Sequence, residues 1–129
     1  MLVPITALYA APIAFVGLVL AARAGGLRGK LKTAFGDGGD AELHQRMRAH
    51  ANFCEYVPLI LVLMAFIELN GGEAAWLHGL GASLLAARIA HPFGIGSVAS
   101  PARFFGAGVT ALVLLACVIM LAWLAYAAT

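Results

Sequence analysis

Four long apolar runs, separated by short polar segments, constrain this chain more than any other feature. The first run, Leu2 to Ala22, is about long enough for a helix to cross a hydrocarbon core of roughly 30 Å. Of the 129 residues, 63% are hydrophobic and 11% are charged, whereas about a quarter are charged in a soluble domain. A water-soluble fold of this size has too little interior for so many apolar residues. The composition therefore predicts an all-α integral membrane protein, a bundle of four transmembrane helices.

The polar segments set the expected helix boundaries. Arg23 to Asp40 is rich in glycine and aspartate and is predicted to be a loop, and an acidic residue near Asp40 or Glu42 suits the start of helix two. Asn70 to Glu73 predicts a short turn, and His91 to Pro101 is rich in turn-forming residues. We therefore expect a single membrane domain, residues 1–129, with helices at about 2–22, 42–69, 74–90 and 102–127.

The first apolar run could also be a cleaved signal peptide. No basic residue precedes it, however, and it is longer than the usual apolar region of such a peptide. We therefore interpret it as a spanning helix.

Basic residues are confined to one side of the predicted bundle. Arg and Lys concentrate in cytoplasmic loops and nearby helix ends. The first loop and its flanks carry six of the eight basic residues, and Arg88 and Arg103 flank the third loop, whereas both termini and the second loop carry none. We expect loops one and three to be cytoplasmic and both termini to lie on the opposite side. The first six are Arg23, Arg28, Lys30, Lys32, Arg46 and Arg48.

Charge and cysteine usage exclude other classes of protein. A net charge of +2 with sparse charges does not form the basic face that nucleic acid requires. Cys54 and Cys117 fall inside apolar stretches without the spacing of metal ligands, so we expect two buried thiols and no metal site.

Helix two begins with a polar stripe. Arg48, Asn52, Glu55 and Tyr56 are three, four, seven or eight positions apart, which places them close to one helical face. An acidic group such as Glu55 is costly in lipid unless it is paired or faces an internal cavity, so it is a functional candidate. A structural ion pair that fixes helix or subunit packing is the alternative.

The sequence of this stripe, Arg48-Ala-His50-Ala-Asn52-Phe-Cys-Glu55-Tyr56-Val-Pro58, resembles the signature R-x-[HQ]-x-N-x-x-E-[YN]-x-P. That signature belongs to MAPEG, the membrane-associated proteins in eicosanoid and glutathione metabolism. Chain length, the four-helix layout and an arginine at the start of helix four are also similar. The resemblance covers essentially the whole chain and is closest to bacterial members.

The resemblance implies a homotrimer that binds glutathione, as cosubstrate, between neighbouring subunits near the cytoplasmic side. By analogy, glutathione would be held by the residues that match the signature and by Arg23, which is expected at the end of helix one and resembles the arginine that reaches the peptide carboxylate. The expected binding residues are Arg23, Arg48, His50, Asn52, Glu55 and Tyr56.

Arg103 resembles the family arginine that faces the glutathione thiol. A fixed cation lowers a thiol pKa from about 8.5 and so increases the reactive thiolate. A small lipophilic substrate would arrive through membrane lipid along helices one and four. The alternative role for Arg103 is to reach lipid headgroups from the interface.

Two positions depart from the family pattern. Tyrosines often follow the helix-three arginine in family transferases, whereas Ile89, Ala90, His91 and further non-tyrosine residues follow Arg88. His91 could supply a polar contact, but a solvated loop histidine is the expectation. Phe104 occupies the position of a serine in prostaglandin E synthases, so that isomerase activity is not expected.

The sequence favours a glutathione-dependent transferase or peroxidase for lipophilic electrophiles. A non-enzymatic relative that binds a lipid or stabilises the trimer is the second hypothesis. A transporter or channel is the third, and the expected lack of mid-membrane polar residues in helices one, three and four argues against it.

Overall fold

The protein is described by a computed structural model, in which the described residues are 1–94 and 100–129. They form four α-helices. The part of the predicted third loop at 95–99 lies outside the described residues. The helices are α1 (Pro4–Lys30), α2 (Ala41–Leu69), α3 (Ala74–Gly94) and α4 (Pro101–Ala127).

Three helices are long and apolar enough to cross a membrane, namely α1, α2 and α4. The 21-residue α3 is not among them, because His78, Arg88 and His91 are spread along it and interrupt its apolar run. The predicted all-α membrane protein with four helices is thus confirmed. A membrane crossing by α3 and the homotrimer stay predictions.

The first helix is longer than predicted, because residues 23–30 are helical rather than part of a loop. Its end is set by Lys32, which adopts a left-handed conformation with φ of 52°. The N–H of Thr33 donates to the carbonyl of Arg28 at 3.1 Å and that of Lys32 to Gly29 at 3.2 Å, which is the Schellman pattern of a helix end. The glycines before Lys30 therefore do not terminate the helix, contrary to the prediction.

The third helix also continues beyond its predicted end at Ala90, through Pro92 to Gly94. Its last turn packs against Gly106 of α4, where an added Cβ would lie 2.6 Å from the Cβ of His91. This close packing of α3 on α4 overrides the turn-forming preference of the local sequence. Helices α2 and α4 begin and end within one residue of the prediction.

The start of α2 follows the sequence signal. Asp40 is its N-cap and accepts a hydrogen bond from the N–H of Leu43 at 2.7 Å, and Glu42 places negative charge in the first turn. Both features stabilise a helix N-terminus. This start fixes the register of the polar stripe that follows.

A carboxylate joins the other ends of α1 and α2. Glu68 accepts hydrogen bonds from the backbone N–H groups of Ile5 at 2.7 Å and Thr6 at 2.8 Å, which are unpaired donors at the start of α1. We call this end of the bundle, with Glu68 and Glu73, the acidic end. We call the opposite end, with Arg23, Arg46, Arg48 and Arg103, the basic end.

The interior between the two ends is apolar. Phe53 of α2 packs against Gly17 of α1, where an added Cβ would lie 2.6 Å from the ring. Farther toward the acidic end, all four helices contribute to one cluster of buried side chains. Its fully enclosed members include Ile13, Ile60, Met64, Leu77, Leu84 and Cys117.

Candidate functional site

A polar cavity of about 320 Å³ opens between α2 and α4 at the basic end. Helix α2 supplies four of its side chains, and α3 and α4 supply one each. Two are guanidinium groups, and none of the described lining residues is a carboxylate. We call this space the polar cavity; it is lined by His44, Gln45, Arg48, Asn52, His91 and Arg103.

The structure gathers most of the predicted stripe around this cavity. Arg48 and Asn52, one helical turn apart, both line it, and Asn52 also lines a smaller adjoining space of about 60 Å³ with Tyr56. Glu55 lies beside Arg48, with 3.8 Å between its Oε1 and the arginine Nη1. The predicted face of α2 is therefore contiguous in space.

Arg103 reaches the polar cavity from the first turn of α4, where Pro101 occupies the start of the helix. Proline suits that position because its missing N–H would have no partner there. Two arginines around one concave space, beside the positive end of a helix dipole, create a field that attracts anions.

Arg88 is the residue that the site prediction missed. Its side chain is 2% exposed and does not face the third loop as expected. Its guanidinium donates to Asn52 Oδ1 at 2.9 Å, to the carbonyl of Gly106 at 2.7 Å and to Thr110 Oγ1, whereas its Nε has no partner among the described residues. The signal in the sequence was an ionisable residue within an otherwise apolar helix. Helices three and four, which were expected to carry no mid-membrane polar residue, bury Arg88 and Thr110 inside the bundle.

The bond from Arg88 also determines how Asn52 is presented. A guanidinium has donors but no acceptor, so Asn52 must direct its Oδ1 toward Arg88. The amide NH₂ group is then free to donate elsewhere. Arg88 therefore fixes the orientation of the Asn52 amide, with the NH₂ group directed away from the core.

Two predicted residues, Arg23 and His50, lie apart from both the polar cavity and its neighbours Glu55 and Tyr56 within one chain. Arg23 lies about two turns before the end of α1, and it lines a different small space of about 110 Å³. The Nε2 of His50 lies 3.6 Å from the Sγ of Cys54, one turn along α2. The structure thus places both side chains outside the contiguous part of the site.

Two other expectations about side chains were wrong. His91 is helical and 6% exposed, and it lines the polar cavity instead of lying solvated in a loop. Cys54 is exposed on the outer surface of α2, whereas Cys117 is buried as expected. Packing of α3 on α4 accounts for the burial of His91.

A contact between a carboxylate and a histidine anchors the loop that precedes the polar cavity. The Oδ2 of Asp37 lies 2.6 Å from the Nδ1 of His44, and Asp37 Oδ1 accepts from the N–H of Gly39 at 3.0 Å. The bond from Gly39 and then the contact with His44 lower the pKa of Asp37 below its ordinary value. The charged Asp37 thereby ties the loop to the first turns of α2.

The fold and the polar cavity define an integral membrane protein with a cluster of arginine side chains at one end of a helical bundle. The chain belongs to the MAPEG family, whose sequence model matches residues 6–123. This family match confirms the resemblance found in the sequence.

Two curated relatives of the chain are inner membrane proteins. The chain is 46% identical over 68 residues to the inner membrane protein YecN of Escherichia coli K12, and it is equally similar to YecN of Escherichia coli O6:H1. The match covers 53% of this chain and 52% of the relative. The aligned region thus spans about half the length of the curated relatives it matches.

Proposed function

We propose that this protein is a glutathione-dependent transferase or peroxidase that acts on lipophilic electrophiles. The observation that carries the proposal is the polar cavity, where Arg48 and Arg103 face one space whose described lining contains no carboxylate. Two guanidinium groups that share a cavity repel each other, so an anionic ligand between them is stabilised.

The residues present match the chemistry of glutathione. Its carboxylates suit bidentate binding by arginine, and its peptide groups suit the amide NH₂ of Asn52. Glu55 offers a carboxylate for the ammonium group, and its ion pair with Arg48 keeps it near the cavity. Tyr56 adds a hydroxyl in the adjoining space.

Arg103 is the residue we assign to the thiol. A thiol with a pKa of about 8.5 is roughly 3% ionised at pH 7, and lowering that pKa by about one unit raises the thiolate to roughly a quarter. The thiolate would then form a carbon–sulfur bond at an electrophilic carbon, by addition or with loss of a leaving group. In the alternative reaction, two glutathione molecules would reduce a hydroperoxide to an alcohol and water and form the glutathione disulfide. Arginine suits this role because it stays charged at every physiological pH.

The exposure of the ion pair supports a homotrimer with the site between subunits. About 14 residues, or roughly 21 Å, separate Glu55 from Leu69, which puts Glu55 about 9 Å inside a core of about 30 Å. The Arg48 and Glu55 side chains are nevertheless 55% and 51% exposed in one chain. A carboxylate at that depth must be shielded from lipid, and a neighbouring subunit would shield it. Arg23 would then enter the site from that neighbour, and His50 would contact the same interface.

The lipophilic substrate would enter from the membrane. Phe104 and Phe105 follow Arg103 and are 80% and 50% exposed on α4, so they form an apolar surface next to the polar cavity. A ligand dissolved in lipid could follow this surface to the thiol. The segregation of basic residues supports a cytoplasmic basic end, where soluble glutathione is available.

The test is calorimetric titration of glutathione into the detergent-solubilised protein. Thiolate absorbance is recorded in parallel from about pH 6 to about pH 9. We expect saturable binding, and we expect Arg103→Ala to lose the thiolate signal near pH 7. Lys30→Ala removes one exposed basic residue from the same end outside the polar cavity, so it should leave both readouts unchanged. No binding at millimolar glutathione would contradict the proposal.

A non-enzymatic relative is the second candidate. It is favoured by Ile89 and Phe93, which are exposed on α3 where family transferases often carry tyrosines. In that case, the polar cavity would bind the phosphate of an anionic lipid. Titration with a short-chain phosphatidylglycerol would then give saturable binding that Arg48→Ala abolishes, without any thiolate signal.

A further inference from the structure

A second, larger cavity opens at the acidic end, on the opposite side of the bundle from the thiol site. Its volume is about 760 Å³, within the range of roughly 300–1,000 Å³ that small-molecule sites occupy. It lies between α3 and α4 and extends from Glu73 to Ser83, a span of roughly 15 Å along α3. We call it the apolar cavity because apolar side chains, such as Leu80, Ile119 and Met120, form most of its wall.

Small residues keep this space open. An added Cβ on Gly79 would have no atom within 4 Å, so the backbone of α3 borders empty volume at that position. Ser83 of α3 and Ala116 of α4 add little side-chain bulk farther in. Since α3 and α4 pack closely at the basic end, the cavity is a local separation of the two helices.

Two tryptophans line the apolar cavity, one on each helix. Trp76 and Trp123 are 63% and 67% exposed, and they are the two tryptophans of the chain. Indole faces attract cations more strongly than other aromatic rings do. The indole surfaces therefore offer a binding site for a cationic group beside an apolar space.

The charge of this end favours the same kind of ligand. Glu73 lines the apolar cavity at the turn before α3, and its carboxylate has no ion-pair partner among the described residues. Glu68 lies at the same end, bonded to the start of α1. All eight Lys and Arg residues lie away from it, so none of them competes for Glu73, and His78, the histidine at this end, contacts the hydroxyl of Tyr9.

We propose that the apolar cavity binds a lipophilic amine or quaternary ammonium compound with a single apolar chain or body. The apolar part would lie along Leu80 and Met120, and the cationic head would lie between the indoles near Glu73. An anionic amphiphile would meet the repulsion of Glu73, and a neutral one would gain only the burial of its chain. This site is independent of the proposed glutathione chemistry, because it uses none of the same residues.

The two tryptophans make the binding directly measurable. The probe is an alkyltrimethylammonium that carries bromine on its chain as a fluorescence quencher, added to the full-length protein in dodecyl maltoside. An alcohol and a carboxylate with the same brominated chain are the matched ligands. A tryptophan octyl ester in the same micelles gives the collisional background.

Two variants test the two parts of the site, and a third is the control. Glu73→Gln removes the charge, and we expect about a fivefold weaker affinity, the factor for one partly exposed charge pair. Gly79→Leu adds an apolar side chain to the cavity from a position where a Cβ has no atom within 4 Å, and it should weaken saturable quenching. Gly108→Leu, at an open position of α4 outside the apolar cavity, should bind like the wild type.

The expected result is saturable quenching by the ammonium compound that exceeds the quenching by the alcohol and the carboxylate. Equal quenching by all three probes would overturn the proposal, since it would indicate an unselective apolar surface. Quenching that Gly79→Leu does not change, in a variant with native circular dichroism, would also overturn it. So would a lack of saturable quenching in the wild type, the result expected if a second copy of the chain fills the cavity.

Discussion

The buried arginine makes the sharpest prediction about stability. In Arg88→Met, a flexible apolar side chain replaces the guanidinium and its three hydrogen bonds. Thr110 Oγ1 still donates to the carbonyl of Gly106 at 2.7 Å, so these two groups keep a partner. Only Asn52 Oδ1 loses its partner in the core.

The expected change in the free energy of unfolding of Arg88→Met follows from that single unpaired oxygen of Asn52. Hydrogen bonds from a charged donor contribute about 1.5–3 kcal/mol each, but removing a buried cation also recovers several kcal/mol of desolvation. These two effects largely offset each other. The net loss is therefore close to the cost of one orphaned acceptor, about 1–3 kcal/mol. Asn52→Leu alone leaves a buried cation with fewer partners and should cost more, about 3–5 kcal/mol.

The assay is a double-mutant cycle on the free energy of unfolding, measured by sodium dodecyl sulfate titration in mixed micelles. The double variant Arg88→Met, Asn52→Leu leaves neither an orphaned amide nor a partly paired cation. We expect it to lose less stability than the two single variants together, with a coupling of about 1–3 kcal/mol. Arg103→Met removes the same charge from a side chain without a hydrogen bond in the described structure, and it should change stability by less than about 0.5 kcal/mol. Simple additivity of the two single changes would refute the reasoning.

Three further changes test other parts of the structure. Gly106→Ala should destabilise the bundle by about 1–3 kcal/mol, because the added Cβ would lie 3.0 Å from the carbonyl oxygen of Ala87. Gly108→Ala places its Cβ in open space and should be neutral or stabilising by up to about 1 kcal/mol. Unfolding titrations measure the free energy of unfolding of both variants. Asp40→Ala removes the N-cap of α2 and should lower the free energy of unfolding by about 1 kcal/mol. Asp40→Asn keeps a capping oxygen and should retain most of that stability in the same assay. The pKa of Asp37 is lowered, so its stabilising contribution is complete above the unfolded value of 3.8 and is lost as pH falls through the lower folded value. Carbon-13 carboxyl shifts of Asp37 should therefore stay constant from about pH 5 upward, and a midpoint above 3.8 would contradict this assignment.

Local signals were sufficient for much of the fold. Apolar runs long enough to cross a bilayer identify α1, α2 and α4. Asp40 and Gly71 mark the two ends of α2 because each supplies a local terminating interaction. The end of α1 could not be predicted in this way. Lys32 adopts the left-handed conformation that glycine usually supplies, whereas the glycines nearby remain helical.

The site was predictable to the extent that one helix determines it. Arg48, Asn52 and Tyr56 lie on one face of α2 because their spacing matches the helical repeat. Contacts of Arg88 and His91 depend instead on how α3 packs against α4, and that packing is not a property of either segment alone. His50 shows the converse, since its place in the signature did not bring it to the polar cavity within one chain.

The position of the buried network also bears on the transport hypothesis. Arg88 is joined to Asn52, Thr110 and Gly106, so its polar contacts are closed within the bundle. Toward the acidic end, the described interior continues through the apolar cluster that includes Met64, Leu77, Leu84 and Cys117. A hydrated path would have to expose these side chains to water at about 25 cal/mol for each Å² of apolar surface. The described residues therefore separate the polar cavity from the apolar cavity, which favours two sites with independent ligands over one pathway across the membrane.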